Sequence, residues 1–372
     1  GFIGYEPSEC VVIEDSINGI KAGYAAGMKV IHIPDTIEIN DDIRRLTSVV
    51  CHSLSDVPDI IDTWNEGKVA DVEGYYENAK INRVYVDRVH VKKAFAEYAA
   101  AYNADDPKIK LKIDHTYRVA ALCERIAKAA GMCAYDVELA WLSGMLHDVG
   151  RFEQIKRYNT FSDADSVDHA KFGADLLFKD GLISTFLKGM VKCTGYKPGA
   201  LEDRYSSDGV FLYDRLNKSD MEMLELAIRC HNMYRIPQGL NSREQAFCNV
   251  LRDADKVDIF KVNIDTPLEE IYNTTTEELM KSNITDEVLE AFDEEHCILK
   301  AIRRTPADTV IGHVSLAYEL VYDESVRITV EQGYLAKLMH FNSDNEETNR
   351  KMAVVREKMD SYVKKRIGEK DA

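Results

Sequence analysis

Residues 139–152 read LAWLSGMLHDVGRF and set His147 beside Asp148 inside an otherwise apolar run. No other feature constrains the fold as strongly. An unpaired carboxylate taken out of water costs several kcal/mol or takes up a proton. A divalent cation removes the conflict, because it holds the carboxylate ionised and the neighbouring imidazole neutral and coordinating. Other candidate ligands accompany the pair: His115 precedes it, His169 and His231 follow it, and Asp255 closes the series in VLRDADKVDIF.

Helical geometry says where these side chains point. In HTYRVAALCERIAKAAG, His115 shares a stripe with Val119, Leu122 and Ile126, the i, i+4, i+7, i+11 spacing of an inward face. On the helix carrying Trp141, Asp148 falls in line with Val137, Trp141 and Met145. His147 stands over Ala140, Ser143 and Gly144, whose small size leaves room for an ion and a second helix. On a third helix Asp255 shares a face with Phe247 and Leu251, and Asp253 shares one with Val250 and Val257. Geometry alone does not choose between the two aspartates.

A histidine, a His-Asp pair and a distant aspartate, all on helices, resemble the HD-domain superfamily of metal-dependent phosphohydrolases. The resemblance spans about residues 84–262 and implies an all-α helical bundle. By it, His115 is the first ligand, His147 and Asp148 the pair, and Asp255 the last, since relatives place that aspartate between a small and a basic residue, as in Ala254-Asp255-Lys256. Asp253 is then a neighbour. His169 and His231 are similar in placement to the extra ligands of two-metal relatives, which supply three such histidines where this chain offers two. The implied cofactor is one divalent ion, or two. Mixed imidazole and carboxylate ligation suits Mn, Fe, Zn, Ni or Co better than Ca.

The implied reaction is hydrolysis of a phosphate ester or anhydride, because such an ion lowers the pKa of bound water and withdraws charge from a phosphoryl oxygen. Asp148 then orients the water. Arg151, where many relatives have lysine, neutralises the phosphate, and a guanidinium can grip it by two parallel hydrogen bonds. Arg157, Arg235 and Lys256 are further phosphate-binding candidates near the ligands in sequence. The Gly-Tyr-Pro segment of cyclic-di-GMP phosphodiesterases is missing, and Gly150-Arg151 stands where alarmone hydrolases carry an acidic pair.

Each residue also has a plainer reading. A lone histidine on an apolar face is usually a hydrogen-bonded core residue, and the arginines and Lys256 taken singly are surface or helix-terminal charges. The order of the four principal ligands outweighs this for His115, His147, Asp148 and Asp255. His32, His52, His90, His296, His313 and His340 fit no ligand spacing. The rival function is non-catalytic, an HD domain that senses a nucleotide or metal and regulates a fused partner.

The first residues tell a different story. ECVVIEDSINGIKAGYAAGMKVIHIPD reads as a buried strand ending at Glu14-Asp15, a helix entered near Ser16, and a second strand from Lys29 to Ile33 closed by Pro34. Alternating strand and helix predict a piece of parallel sheet, a short Rossmann-like α/β segment. It resembles the last catalytic segment of haloacid dehalogenase-like phosphatases of the beta-phosphoglucomutase type, which implies Asp15, helped by Glu14, as a magnesium site. The upstream motifs of that family do not occur in the thirteen residues before Glu14. The segment is therefore expected to be the C-terminal part of a longer or interrupted domain, without phosphatase activity of its own. The predicted division is a fragment over residues 1–65, a linker over 66–83, and the HD domain with a helical extension over 84–372.

A chain of 372 residues, 45% hydrophobic, can bury two sizeable cores. The net charge of −17 argues against nucleic acid or an anionic membrane as partner and favours a small phosphorylated metabolite or nucleotide taken into a local cationic pocket. Oligomeric state is not legible. Eight cysteines without a CxxC pair read as reduced thiols, and no apolar run spans a bilayer, so a cytoplasmic location is expected. Residues 197–220 break helical periodicity between His169 and His231, a surface excursion or lid. Residues 346–372 are a charged helix candidate.

Overall fold

The computed structural model describes residues 6–33, 46–50, 54, 57–65, 86–103, 105–187, 218–269 and 274–368. The expected linker, His52 and the excursion up to residue 217 lie outside the described residues. The chain divides into two units, residues 1–94 with 131–138 and 184–217, and residues 95–130 with 139–183 and 218–372.

In the first unit β1 (Val11–Glu14), β2 (Lys29–His32) and β3 (Val49–Val50) form a parallel sheet in the order β1-β2-β3. Side chains alternate across it with period two. Val12 and Val30 meet Ile17 and Ile20 of α1 (Ile17–Ala25), whereas Val11 and Ile31 meet Val57, Ile60, Ile61 and Trp64 of α2 (Val57–Asn65). Ser16 caps α1, its Oγ accepting from the Gly19 N–H at 3.1 Å. The expected strand–helix–strand unit is therefore present. The three short strands among the described residues are compatible with a Rossmann-like segment and do not by themselves show that fold.

The second unit is helical. The ring of Phe95, on α3 (Arg88–Ala100), packs edge-on against Tyr117 and Phe152. α4 (Pro107–Ala129) begins at the Asp106 cap with Pro107 in its first turn and buries His115, Val119, Leu122 and Ile126, the inward stripe read from the sequence. α5 (Ala134–Leu146), α6 (Val149–Tyr158), α7 (His169–Ala174) and α8 (Lys218–Cys230) follow. α9 (Ser242–Asp265) is opened by a capping box between Asn241 and Glu244. α9 packs on α4 and α8, and also on α10 (Asp323–Gln332) and α11 (Tyr334–Met339). The charged tail forms α12 (Glu346–Ile367), which buries Met352, Val355, Met359 and Val363. Among the described residues no helix is long and apolar enough to cross a membrane.

One expectation needs correction. The helix of Trp141 does not run through the His-Asp pair: α5 stops at Leu146, and Asp148, at φ −106° and ψ 15°, opens α6. Asp148 therefore takes its direction from a helix junction and not from the Val137–Met145 stripe. Tyr98 holds the junction by donating to the Val149 carbonyl at 2.9 Å.

Glycines bring the neighbouring helices close. A Cβ on Gly144 would lie 2.6 Å from the Ala120 Cα, and one on Gly150 would lie 2.4 Å from the His169 carbonyl oxygen and 2.7 Å from the Gly173 nitrogen. Backbone cannot step aside as a flexible side chain can. Gly150→Ala is expected to cost about 1–3 kcal/mol of folding stability, read as a lowered urea midpoint; an unchanged midpoint would show that α6 and α7 separate freely.

Candidate metal centre

Four histidines converge at the α5–α6 junction. His115 comes from α4, His147 from the turn after α5, His169 from the first residue of α7, and His231 from the residue after α8. All four are buried, as is Asp148. His115 Nε2 lies 3.3 Å from His147 Nε2 and 3.2 Å from Asp255 Oδ1. His169 Nε2 lies 3.1 Å from His231 Nε2. Asp148 stands between the two pairs. Its Oδ2 is 3.5 Å from both His115 Nε2 and His147 Nε2, and its Oδ1 is 3.6 Å from His169 Nε2 and 3.8 Å from His231 Nε2.

The opposite ring nitrogens decide what these Nε2 atoms can do. His147 Nδ1 donates to the Gly144 carbonyl and His231 Nδ1 to the Ile228 carbonyl, both at 2.7 Å. A carbonyl only accepts, so the proton of each neutral ring sits on Nδ1. His115 Nδ1 donates to Asp258 Oδ2 at 2.6 Å and His169 Nδ1 to Asp163 Oδ2 at 2.7 Å. In their neutral forms the rings turn lone pairs toward one another at 3.1 and 3.3 Å, an arrangement that a cation between them would satisfy. Asp148 Oδ1 supplies a further sign, being buried with no hydrogen-bond donor. This donor set fits divalent metal ions. His115, His147 and Asp255 form one candidate group, and His147, Asp148 and His231 another.

Electrostatics agree with ligation at Asp148, His147, His169 and His231. Burial works against ionised Asp148, but Lys112 above all, then His147, His169 and Arg151, hold its carboxyl well below the ordinary range. Burial, with Arg151 behind it, pulls His169 down to about 4, and burial with His147 does the same for His231, so both stay neutral near pH 7. Burial also lowers His147. His115 goes the other way: burial and Lys112 oppose its proton, but Asp255 and Asp258 outweigh them.

The structure separates the two aspartates that helical geometry left open. Asp255 faces the histidines. Asp253, fully buried, accepts from the Val321 and Tyr322 N–H groups at 2.9 and 3.0 Å and from Ser325 Oγ at 2.7 Å, and so anchors the start of α10.

The predicted cations divide as well. Arg151 reaches the centre, with Nε 3.7 Å from Asp148 Oδ1, and it also donates to Gln154, Asp163 and the Phe161 carbonyl. Arg157 pairs instead with Glu153 at 2.8 Å and stacks on Phe172. Arg235 meets His296, and Lys256 turns toward Arg252, where burial and that guanidinium lower it to about 8. In the N-terminal unit Glu14 Oε2 accepts from the Asp15 and Ser16 N–H groups and from Ser16 Oγ, so that oxygen serves the helix entry. Among the described residues Glu14 and Asp15 belong to no metal-ligating cluster.

Sequence reasoning missed three participants. Lys112 donates to Asp148 Oδ2 at 2.6 Å, and its place three residues before His115 on one helix could have revealed it. Asp258, three residues after Asp255, orients His115 and is itself gripped by Arg118 at 2.5 and 2.9 Å. Asp163, which orients His169, carries no local signal.

The family described as HD domain matches residues 113–302, just over half of the chain. An uncharacterized protein of Schizosaccharomyces pombe, C4C5.01, is 39% identical over 57 residues, 14% of this chain and 23% of the relative. The chain thus spans less than a quarter of that relative's length. No solved structure matches.

Proposed function

The chain belongs to the HD-domain family, and from that premise we propose that it is a metal-dependent phosphohydrolase cleaving a phosphate ester or anhydride of a small metabolite or nucleotide. The observation that carries the reading is the convergence of four imidazole Nε2 atoms and Asp148, with every Nδ1 engaged by an acceptor. His115, His147, Asp148 and Asp255 would hold one ion, and Asp148, His169 and His231 a second. Mn, Fe, Ni, Co and Zn all suit the donor set. A bound divalent ion makes hydroxide available near neutral pH and polarises a phosphoryl oxygen.

The protein's own groups supply the rest. Asp258 and Asp163 fix the tautomers and ring orientations of His115 and His169. Lys112 and Arg151 flank Asp148 from its two oxygens and are the cations that meet substrate phosphate. Asp148, charged and buried, orients the water. Under the same reading Asp15, helped by Glu14 at the end of β1, would be a haloacid dehalogenase-like magnesium site, although Glu14 Oε2 is taken up at the helix entry. A small anionic substrate is favoured over nucleic acid or membrane by the charge of −17.

The test is metal content by plasma mass spectrometry together with turnover of a phosphate-ester and nucleotide panel after Mn, Fe, Ni, Co or Zn is supplied. One or two ions per chain with turnover support the proposal; bound metal without turnover of any ester supports the sensing alternative, and absence of both metal and turnover sinks the catalytic reading. Lys112→Met carries a sharper expectation. Its ammonium contends for Asp148 Oδ2, so the variant should bind the metal roughly tenfold more tightly while losing affinity for phosphate esters. Weaker metal binding would show that Lys112 supports the centre instead of opposing the ion.

A further inference from the structure

Beside the histidine cluster lies a second charged group with an unmet electrostatic demand. Lys256 and Arg252 stand four residues apart on one face of α9, each only 9% exposed. Buried cations require counter-charges or a full set of acceptors. Lys256 Nζ makes one long hydrogen bond, 3.4 Å to the Arg252 carbonyl, and no ion pair among the described residues. Arg252 Nη2 donates to the Met233 and Tyr234 carbonyls at 3.0 and 3.2 Å, but its Nε has no acceptor.

The carboxylates nearby answer these cations weakly or are engaged elsewhere. Glu319 comes only within 4.0 Å of Arg252, and its Oε1 accepts from His296 Nδ1 at 3.0 Å. Asp253 serves α10, and Asp255 faces His115. Arg235 adds a third cation at the exposed rim, 2.9 Å from His296 Nε2. The cluster adjoins the centre through the chain itself: Lys256 follows Asp255, and the carbonyls held by Arg252 lie two and three residues after His231.

We propose that Lys256, Arg252 and Arg235 receive a second anionic group of the substrate, which makes the substrate a small metabolite carrying two phosphates, one cleaved and one held. The assignment of that group to a substrate rests on the hydrolase reading above. A phosphate here would accept from Lys256 and from the free edge of Arg252, satisfying both buried cations at once.

The experiment compares the metal-loaded chain acting on a sugar bisphosphate and on the matching monophosphate. The bisphosphate is expected to show a KM at least about tenfold lower, the worth of one or two charge-assisted hydrogen bonds. Lys256→Met should close that gap with bound metal retained, and Lys256→Arg should keep most of it. A gap absent from the wild type, or unchanged in Lys256→Met, overturns the proposal.

Should no ester be turned over, the hydrolase reading fails and the anion site is judged separately, by calorimetry of inorganic phosphate with the metal-free chain. Affinity lower by about tenfold in Lys256→Met supports the site; equal affinity, or no binding by the wild type, removes it. Phosphate binding that depends on Lys256 alongside an unchanged KM gap would assign the site to free phosphate and overturn its role in substrate choice. Arg235→Ala, at the exposed rim, is expected to show a smaller effect in the same direction and keeps the test open if Lys256→Met does not fold.

Discussion

Asp148→Asn is expected to leave the chain folded while stripping it of bound metal and lowering phosphoester hydrolysis on the order of 10³-fold or more. The amide has the shape of the carboxylate but not its charge. One side chain serves both histidine pairs, since Oδ2 faces His115 and His147 and Oδ1 faces His169 and His231. Losing it therefore weakens ligation at both histidine pairs together. The fold should tolerate the change because Lys112, whose side chain is 16% exposed, can carry its ammonium to water once its partner is neutral. The stability cost should stay within about 1–3 kcal/mol. Metal content and single-turnover hydrolysis measured on the same preparation decide it, and retained metal with retained turnover would remove Asp148 from the centre.

Asp253→Ala should produce the largest loss of stability, roughly 4 kcal/mol, with little direct effect on metal ligation. The carboxylate is fully buried and accepts from two backbone N–H groups and one hydroxyl at the entry to α10. Alanine leaves the buried Ser325 hydroxyl and the two less buried N–H groups without that acceptor. Burial pushes this carboxyl up, and the Tyr322 and Val321 N–H groups pull it back. Asp253→Asn, which keeps an accepting oxygen, should therefore cost less than alanine. Denaturant midpoints of the two variants test this. A midpoint for Asp253→Ala within error of the wild type would show that α10 is held by apolar packing alone.

These two aspartates show how far the sequence could be read. Spacing on α9 left Asp253 and Asp255 equivalent, and resemblance to the HD domain favoured Asp255. Geometry separates them physically, because one meets imidazole nitrogens and the other meets the start of a helix about seventy residues away along the chain. The stripe of His115, the strand–helix–strand of the N-terminal unit and the tail helix were all legible, since each depends on periodicity and caps within a few residues. The break at the His-Asp pair was not, because its cause lies partly in contacts between helices, where Gly150 meets the backbone of α7 and Tyr98 holds the Val149 carbonyl.

The cations follow the same division. Proximity in sequence singled out Arg151, Arg157, Arg235 and Lys256, yet of these four Arg151 alone has an ion-pair contact with Asp148 among the described residues, while Lys112, which sequence reading passed over, lies closest to it. The residue types able to bind metal, the helices that carry them and their order along the chain can be read from the amino acids, because residue identity and helical period are local properties. Packing between helices fixed which nitrogen of each ring is left open and which cations stand beside Asp148, and it supplied the physical reason that Asp255 and not Asp253 faces the histidines. Those outcomes depend on partners such as Asp163, Asp258 and Lys112, brought together by packing between helices, and no local pattern records that packing.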